Sequence, residues 1–243
     1  MWDAAMQIEA ELVEGRFLNR DNRFRVTVEV AGEAVWAHLP NSGRLGELLV
    51  PGRRALLVPR SAAGRKTDYD MVMILDGAEW VSVDARLPNR LVAEAVEAGQ
   101  LVPLSGYSGI RREVVFGGSR FDLSLRHPDR RPCLVEVKSV TLVVDGLGCF
   151  PDAVTARGRR HVLELATAVA AGYRAAVVFV VQRQDVQGFR PHDESDPGFG
   201  AALREAASQG VEVYAYACQV EPGGIEIDRP LPVHLGMPAS SEP

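Results

Sequence analysis

Two acids and one amine stand close together in this chain of 243 residues: Asp122 within Phe121-Asp122-Leu123, and Glu136 and Lys138 within Val135-Glu136-Val137-Lys138. Both segments read as strands, and side chains alternate across a strand, so Glu136 and Lys138 project from the same face. A neighbouring hairpin strand can bring Asp122 beside them. Magnesium is held by one or two carboxylates together with waters and substrate phosphate, so Asp122 and Glu136 have the chemistry of a site for Mg, or Mn in its place. Lys138 beside them can orient or help deprotonate an attacking water and offset charge growing on a phosphorane-like transition state. That is the chemistry of phosphodiester hydrolysis. The same spacing also arises on an ordinary solvated strand face.

Other residues fall around this nucleus. Glu113 is a candidate extra acid on the preceding strand, with an ion pair to Arg111, Arg112 or Arg120 as the alternative; Arg111 and Arg120 are themselves candidates for phosphate contact. The run from Phe150 to His161 puts Arg157, Arg159, Arg160 and His161 at the start of a helix, where the positive helix end and cationic side chains suit phosphate. Arg157, Arg160 and His161 lie on neighbouring sides of that helix by their spacing. A solvated basic turn with Glu164 paired to Arg160 is the plainer reading. Asp152 either caps the helix or joins the metal shell, and Gln182 after an apolar strand can reach a metal water or DNA. Near the N-terminus, Arg16, Arg20, Arg23 and Arg25 are interleaved with Phe17 and Phe24, a pattern that suits phosphate contact and base stacking. The loop His38-Leu39-Pro40-Asn41-Ser42-Gly43-Arg44 offers amides and a cation to an anion, or else is a structural turn.

The elements that must carry these residues change character near residue 83. Before it, Phe24–Val30, Ala34–His38, Ala55–Val58 and Met71–Leu75 read as short strands between turns at Ala31-Gly32, Pro51-Gly52 and Asp76-Gly77, which predicts a small barrel or sandwich. After it come a helix over Pro88–Gly99, strands over Ile110–Phe116, Arg120–Leu125 and Cys133–Val140, and a helix over Val154–Ala171. The run Arg174–Val181 is apolar on both faces, as a central strand is. A helix over Pro197–Gln209, capped by Asp196, leads into a last strand, Val211–Ala217. The helix, three strands, helix and strand, with Asp122 and Glu136-x-Lys138 on successive strands, resemble the PD-(D/E)xK core of the restriction-endonuclease-like superfamily.

Composition bounds the rest. With 47% apolar and 24% charged residues the chain is globular, and its longest strongly apolar run, Ala175–Val181, is far too short to span a bilayer. Its first residues carry no secretion signal, so a cytoplasmic protein with no membrane partner is expected. Three scattered cysteines give no disulfide framework or zinc motif, and neither a phosphate-binding loop nor a nucleophile elbow occurs. The net charge of −5 hides a polarity: residues 185–228 hold nine acids against two arginines, a net of −7, which leaves the remainder mildly basic.

Several ordered stretches resemble the sugar fermentation stimulation protein A family. They are His38-Leu39-Pro40-Asn41-Ser42-Gly43, Leu87-Pro88-Asn89-Arg90-Leu91-Val92, Gly106-Tyr107 with Ile110–Val114, Val135–Thr141, Phe150–Gly158 and Val181-Gln182-Arg183. The resemblance runs from about Leu12 to Leu235. It implies an α/β protein with a small OB-like β-barrel over residues 1–83 for nucleic-acid binding. It also implies a restriction-endonuclease-like α/β domain with a mixed sheet over 84–235, and 236–243 are left as a flexible tail. It further implies a DNA-binding protein linked to sugar metabolism, with Asp122, Glu136 and Lys138 at the nuclease positions. The chain departs from the family pattern at Ser42-Gly43-Arg44-Leu45 and in the arm Leu18–Phe24, where Asp21 interrupts the basic residues. Two functions follow as expectations: a Mg-dependent nuclease, or a regulator of sugar-metabolism genes that binds DNA without cutting it. Homo-oligomerisation stays open.

Overall fold

The computed structural model describes residues 6–7, 11–60 and 64–236. Strand β1 (Met6–Gln7) is followed by β2 (Val13–Asn22), β3 (Arg25–Val30), β4 (Glu33–His38), β5 (Arg54–Pro59), β6 (Tyr69–Asp76) and β7 (Glu79–Ser82). From β2 to β7 these form one sheet in the order β4-β3-β2-β5-β6-β7. A parallel pairing of Ala37 with Tyr69 and His38 with Asp70 joins β4 to β6 and closes five strands into an OB-like barrel. Alternation explains its core: Val26 and Val28 of β3 and Ala37 of β4 point inward onto Phe17, Leu57, Met71 and Ile74, and Arg25, Thr27 and Trp36 point out. At Gly15 the strands approach so closely that a Cβ would lie 2.6 Å from Val28 Cγ1, so a side chain there would push the barrel open.

Beyond the barrel come α1 (Leu87–Glu97), β8 (Gly109–Phe116), β9 (Ser119–His127), β10 (Arg130–Val140), β11 (Val143–Val144), β12 (Leu147–Phe150), α2 (Ala156–Ala170), β13 (Arg174–Val181), β14 (Gly188–Pro191), α3 (Pro197–Ser208), β15 (Glu212–Glu221) and β16 (Gly224–Pro230). The main sheet is mixed and has seven strands in the order β1-β16-β15-β13-β10-β9-β8. Its centre, β10-β13-β15, is parallel, and β8-β9-β10 form an antiparallel meander. β13 is buried on both faces: Val177, Phe179 and Val181 pack toward α2 and α3, and Ala176, Val178 and Val180 pack toward α1. β11, β12 and β14 make a small separate sheet.

The helices carry the expected stop and start signals. Thr155, not Asp152, caps α2, its side chain accepting from the Gly158 amide at 3.0 Å. Asp196 caps α3 through the Phe199 amide at 2.9 Å. The long strand β2 and the closing strand β16 were not legible as strands, because glycine and charged residues break their alternation.

The barrel and the sheet domain share a core. Leu56, Val58, Val72 and Met73 of the barrel pack into the same cluster as α1 and the face of β9, β10 and β13 that α1 covers. The boundary expected at residue 83 is also crossed from the N-terminal side, since β1 pairs with β16 of the sheet domain. Of the expected tail, residues 237–243 lie outside the described residues. Among the described residues no helix is long and apolar enough to cross a membrane.

Candidate metal centre and nucleic-acid interface

The site forms where β9 and β10 stop pairing. The ladder runs from Cys133 opposite Leu125 to Val135 opposite Leu123, and one step further would come Glu136 opposite Asp122. There β9 changes face: Leu123 and Leu125 pack on the α1 side, but Phe121 packs on the α2 side. The Val137 amide, left without a strand partner, donates to Asp122 Oδ2 at 2.7 Å. The carboxylate thus replaces a rung of the ladder. Asn89, in the first turn of α1, donates to the other oxygen, Oδ1, at 2.6 Å.

Glu136 is 3% exposed and its Oε1 takes two short contacts, from Lys138 Nζ at 2.6 Å and from His161 Nδ1 at 2.5 Å. An ionised carboxylate has no hydrogen to give, so Nδ1 of His161 carries the proton in this contact. The Phe121 ring stands edge-on to the imidazole, 5.9 Å between centroids, and holds its plane. Glu136 Oε2 is buried with no hydrogen-bond partner.

These contacts push the two acids apart. Burial, with the nearby charge of Glu136 adding to it, raises the Asp122 carboxyl to about 6, against the opposing pull of the Val137 amide, Lys138 and Asn89. For Glu136, burial also works upward, but the bonds and charges of His161 and Lys138 outweigh it and hold this carboxyl below its usual range. Two carboxylates and one ammonium leave a net negative charge around a buried oxygen that lacks a donor. That is a donor set suited to a hard divalent cation, with Glu136 Oε2 and the remaining lone pairs of Asp122 as ligands and water completing the shell.

Several residues singled out from sequence have other work. His161, expected on phosphate, is 2% exposed and bonds Glu136, so it cannot reach a backbone phosphate. Asp152, considered for the metal shell, accepts from the Arg44 and Leu45 amides through Oδ2, at 2.6 and 3.2 Å. It pins the barrel loop to the sheet domain, and Gly43 packs against it too closely for any side chain. The Arg20 guanidinium donates to the carbonyls of Asn22, Arg23, Asn41, Gly43 and Arg44, so its donors hold that loop and are not free for DNA. Gln182 is fully buried and donates to the Ser82 carbonyl and to Ser139 Oγ, both at 3.1 Å, stitching barrel to sheet. Glu113 is exposed and sits 3.5 Å from Arg120, the ion-pair alternative.

Other cations remain available. Arg157 and Arg160 are exposed on the first turns of α2, with no hydrogen-bond or ion-pair partner among the described residues; Glu164 does not pair with Arg160. Arg23, Arg44 and Arg111 are likewise exposed without a carboxylate partner among the described residues. Between the barrel and the sheet domain runs a cleft of about 310 Å³, bordered by Arg23, Asn41, Ser42, Phe150 and Thr155 and by Ser139, the residue after Lys138. Sequence reasoning missed Asn89. The stretch Leu87–Val92 resembles the family, but without the fold nothing in it ties Asn89 to Asp122.

Comparison with known proteins agrees with this architecture. Residues 18–83 match the family described as "SfsA N-terminal OB domain", and residues 86–224 match "Sugar fermentation stimulation protein RE domain". The chain belongs to the sugar fermentation stimulation protein family. A family member from Moorella thermoacetica, described as a sugar fermentation stimulation protein homolog, is 47% identical over 231 residues, covering 95% of this chain and all of that one. One of the same description from Symbiobacterium thermophilum is 48% identical, covering 93% and 96%. A solved family structure, "The structure of Pyrococcus Furiosus SfsA in complex with Ca2+", superposes with a TM-score of 0.87 at 31% identity, covering 95% of this chain and 99% of that one. The fold of this family member is therefore an OB-like barrel joined to a restriction-endonuclease-like α/β domain.

Proposed function

We propose that this family member is a divalent-metal-dependent nuclease that hydrolyses phosphodiester bonds of DNA. The observation that carries the reading is Glu136: a buried carboxylate whose Oε1 is fixed by Lys138 and His161, whose Oε2 has no partner, and whose neighbour Asp122 is a second acid. Lys138 and His161 compensate the charge through Oε1 but leave buried Oε2 without a partner, and a bound cation would supply one. The relative from Pyrococcus furiosus, described in complex with Ca2+, supports a divalent cation.

Magnesium or manganese bound here would supply Lewis acidity and a water of lowered pKa. Asp122 and Glu136 would hold the ion, with Asn89 and the Val137 amide keeping the Asp122 carboxylate in one orientation. His161 does the same for Glu136 from the other side, as outer partners of metal ligands do. Lys138 orients the attacking water and offsets charge on the phosphate once Glu136 is engaged. Arg23 at the edge of the cleft, with the exposed Arg44, Arg111, Arg157 and Arg160, contacts the flanking phosphates.

The test is incubation of labelled DNA with the protein and Mg2+ or Mn2+. Wild type is expected to cut; Glu136→Ala should fall to background and Lys138→Ala should lose on the order of a hundredfold or more in rate. If DNA stays intact with wild type and variant alike, yet is retained in a salt-sensitive way that survives chelator and Glu136→Ala, the protein is a non-cleaving regulator and the nuclease reading is overturned.

A further inference from the structure

Two neighbouring strands change face at the same rung. On β9, Leu123 and Leu125 pack on the α1 side and Phe121 on the α2 side; on the edge strand β8, Ile110 packs on the α1 side and Val114 and Phe116 on the α2 side. Ile110 pairs with Leu125, Arg112 with Leu123 and Val114 with Phe121, in one unshifted register. No residue is inserted, so both reversals fall where Glu113 stands opposite Asp122. Side chains two apart on a regular strand share a face, so a reversal needs backbone that leaves the regular extended form. On β8 that backbone belongs to Glu113, at φ 54°. Among the described residues, the other non-glycine residues with positive φ are Ala31, Leu45 and Asp145, all in turns or connections, whereas Glu113 lies within a strand.

Glutamate gains nothing from this conformation. A left-handed backbone sets Cβ against the following carbonyl oxygen, and glycine, with asparagine and aspartate after it, is the residue that adopts it readily. The side chain offers no compensation, since it is 67% exposed and its contact with Arg120, at 3.5 Å, joins two exposed groups. What the strain secures lies on the next strand. With β8 turned over at this rung, Val114 and Phe116 follow Phe121 to the α2 side, and Phe121 stands 5.9 Å from the ring of His161, which bonds Glu136. Asp122, at the point of reversal, turns its carboxylate to the edge that β10 leaves open, where Oδ2 takes the Val137 amide at 2.7 Å. Were Glu113 extended, Val114 would face the α1 side while its partner Phe121 faced the α2 side, and the two strands could not keep this pairing.

We infer that the left-handed backbone of Glu113 sets Asp122 in place: Glu113 is a positioning residue that acts through its main chain, and its carboxylate is no part of the metal shell. That role presupposes Asp122 as a metal ligand, as in the nuclease reading above, and names what aims the ligand from the edge strand. Strained backbone persists where the surrounding structure over-determines it, and the packing of Val114, Phe116 and Phe121 against the α2 side does so here. A residue that tolerates the left-handed region should therefore serve in place of Glu113 whatever its charge. A β-branched residue, for which positive φ is a steric outlier, should fail.

The experiment compares the full wild-type chain with Glu113→Gly, Glu113→Asn and Glu113→Val. Hydrogen exchange of the Val137 amide, followed by NMR in EDTA, reads its bond to Asp122 directly. The glycine and asparagine variants are expected to protect that amide as wild type does. Glu113→Val should exchange it at least about tenfold faster while the Val178 and Val180 amides of β13 stay protected. Calorimetric titration with Mn2+ should show an affinity about tenfold or more weaker in Glu113→Val and within about twofold of wild type in the other two, as when a metal ligand loses its support. Loss of protection or of Mn2+ affinity in Glu113→Gly or Glu113→Asn overturns the inference, even if circular dichroism shows Glu113→Val unfolded, because the carboxylate itself would then be needed. An unchanged Val137 amide in a folded Glu113→Val overturns it as well. The exchange measurement needs neither metal nor cutting, so its failure leaves the nuclease reading to Glu136→Ala. A wild type that neither binds Mn2+ nor cuts overturns the nuclease reading and leaves the role of Glu113 to be decided by exchange.

Discussion

At the scale of residues, Asp122 is held at a cost to the fold. Its carboxyl ionises at about 6 in the folded protein against 3.8 for the free side chain, so folding favours the protonated form. The stabilising contribution is complete below about pH 4 and is lost as the pH rises through about 6. Above that, the metal-free protein carries a penalty of up to about 3 kcal/mol, from roughly two pKa units. Asp122→Asn removes the charge and keeps an oxygen for the Val137 amide. We expect it to melt higher than wild type at pH 8 in EDTA and at nearly the same temperature at pH 4, measured by thermal denaturation. Adding Mn2+ at pH 8 should reverse the order, because only wild type then gains binding energy in its folded state. A variant that melts lower than wild type at pH 8 in EDTA would refute this account. Glu136 behaves oppositely, since Lys138 and His161 keep its charge favourable.

Among the elements, α2 is the one whose end must be well made. Its first two turns carry Arg157, Arg160 and His161, and His161 reaches Glu136 only if the helix starts where it does. Thr155 sets that start through the Gly158 amide, and Gly158 leaves no room for a side chain against Thr155. Thr155→Ala should cost about 1 kcal/mol, lowering Tm by a few degrees, as followed by circular dichroism. An unchanged Tm would mean that packing of Val162, Leu165 and Ala166 alone places the helix. The alternation in Val135-Glu136-Val137-Lys138 was legible because strand periodicity is local: Val135 and Val137 turn to the α1 core, so Glu136 and Lys138 turn the other way. The change of face at Asp122 was not legible. It arises where two strands part, and neither strand alone specifies that point.

For the whole molecule, the barrel is built into the sheet domain. Ser82 and Gln182 exchange hydrogen bonds, Gln184 bonds Glu79, and buried Arg183 joins Asp76 of the barrel to Asp185 of its own loop. With Leu56, Val72 and Met73 sharing the α1 core, the two halves should unfold in one transition in urea. Arg183→Ala leaves Asp76 paired with Arg53 and Asp185 open to solvent, so the expected loss of stability is about 1–2 kcal/mol, from the buried arginine's packing and its bridge between the two halves. Two separate transitions in wild type, seen by tryptophan fluorescence, would contradict a shared core. The acidic stretch from 185 to 228 is also less negative in effect than its composition suggests. Asp185, Asp193, Glu194 and Glu212 are each bonded to an arginine.

The sequence by itself determined the order of the three helices and of the strands that carry the site, the pairing of Glu136 with Lys138 on one strand face, and the family to which the chain belongs, because periodicity and short motifs are properties of neighbouring residues. Only the tertiary structure decided which partner each polar group takes. Asn89 meets Asp122 from 33 residues away, Gln182 meets Ser82 from 100, and Asp152 meets the Arg44 amide from 108. The chain must close those distances before a buried carboxylate or amide can be satisfied, so a histidine that reads as a phosphate ligand becomes the orienter of Glu136, and an arginine of a basic arm becomes the clasp of a loop.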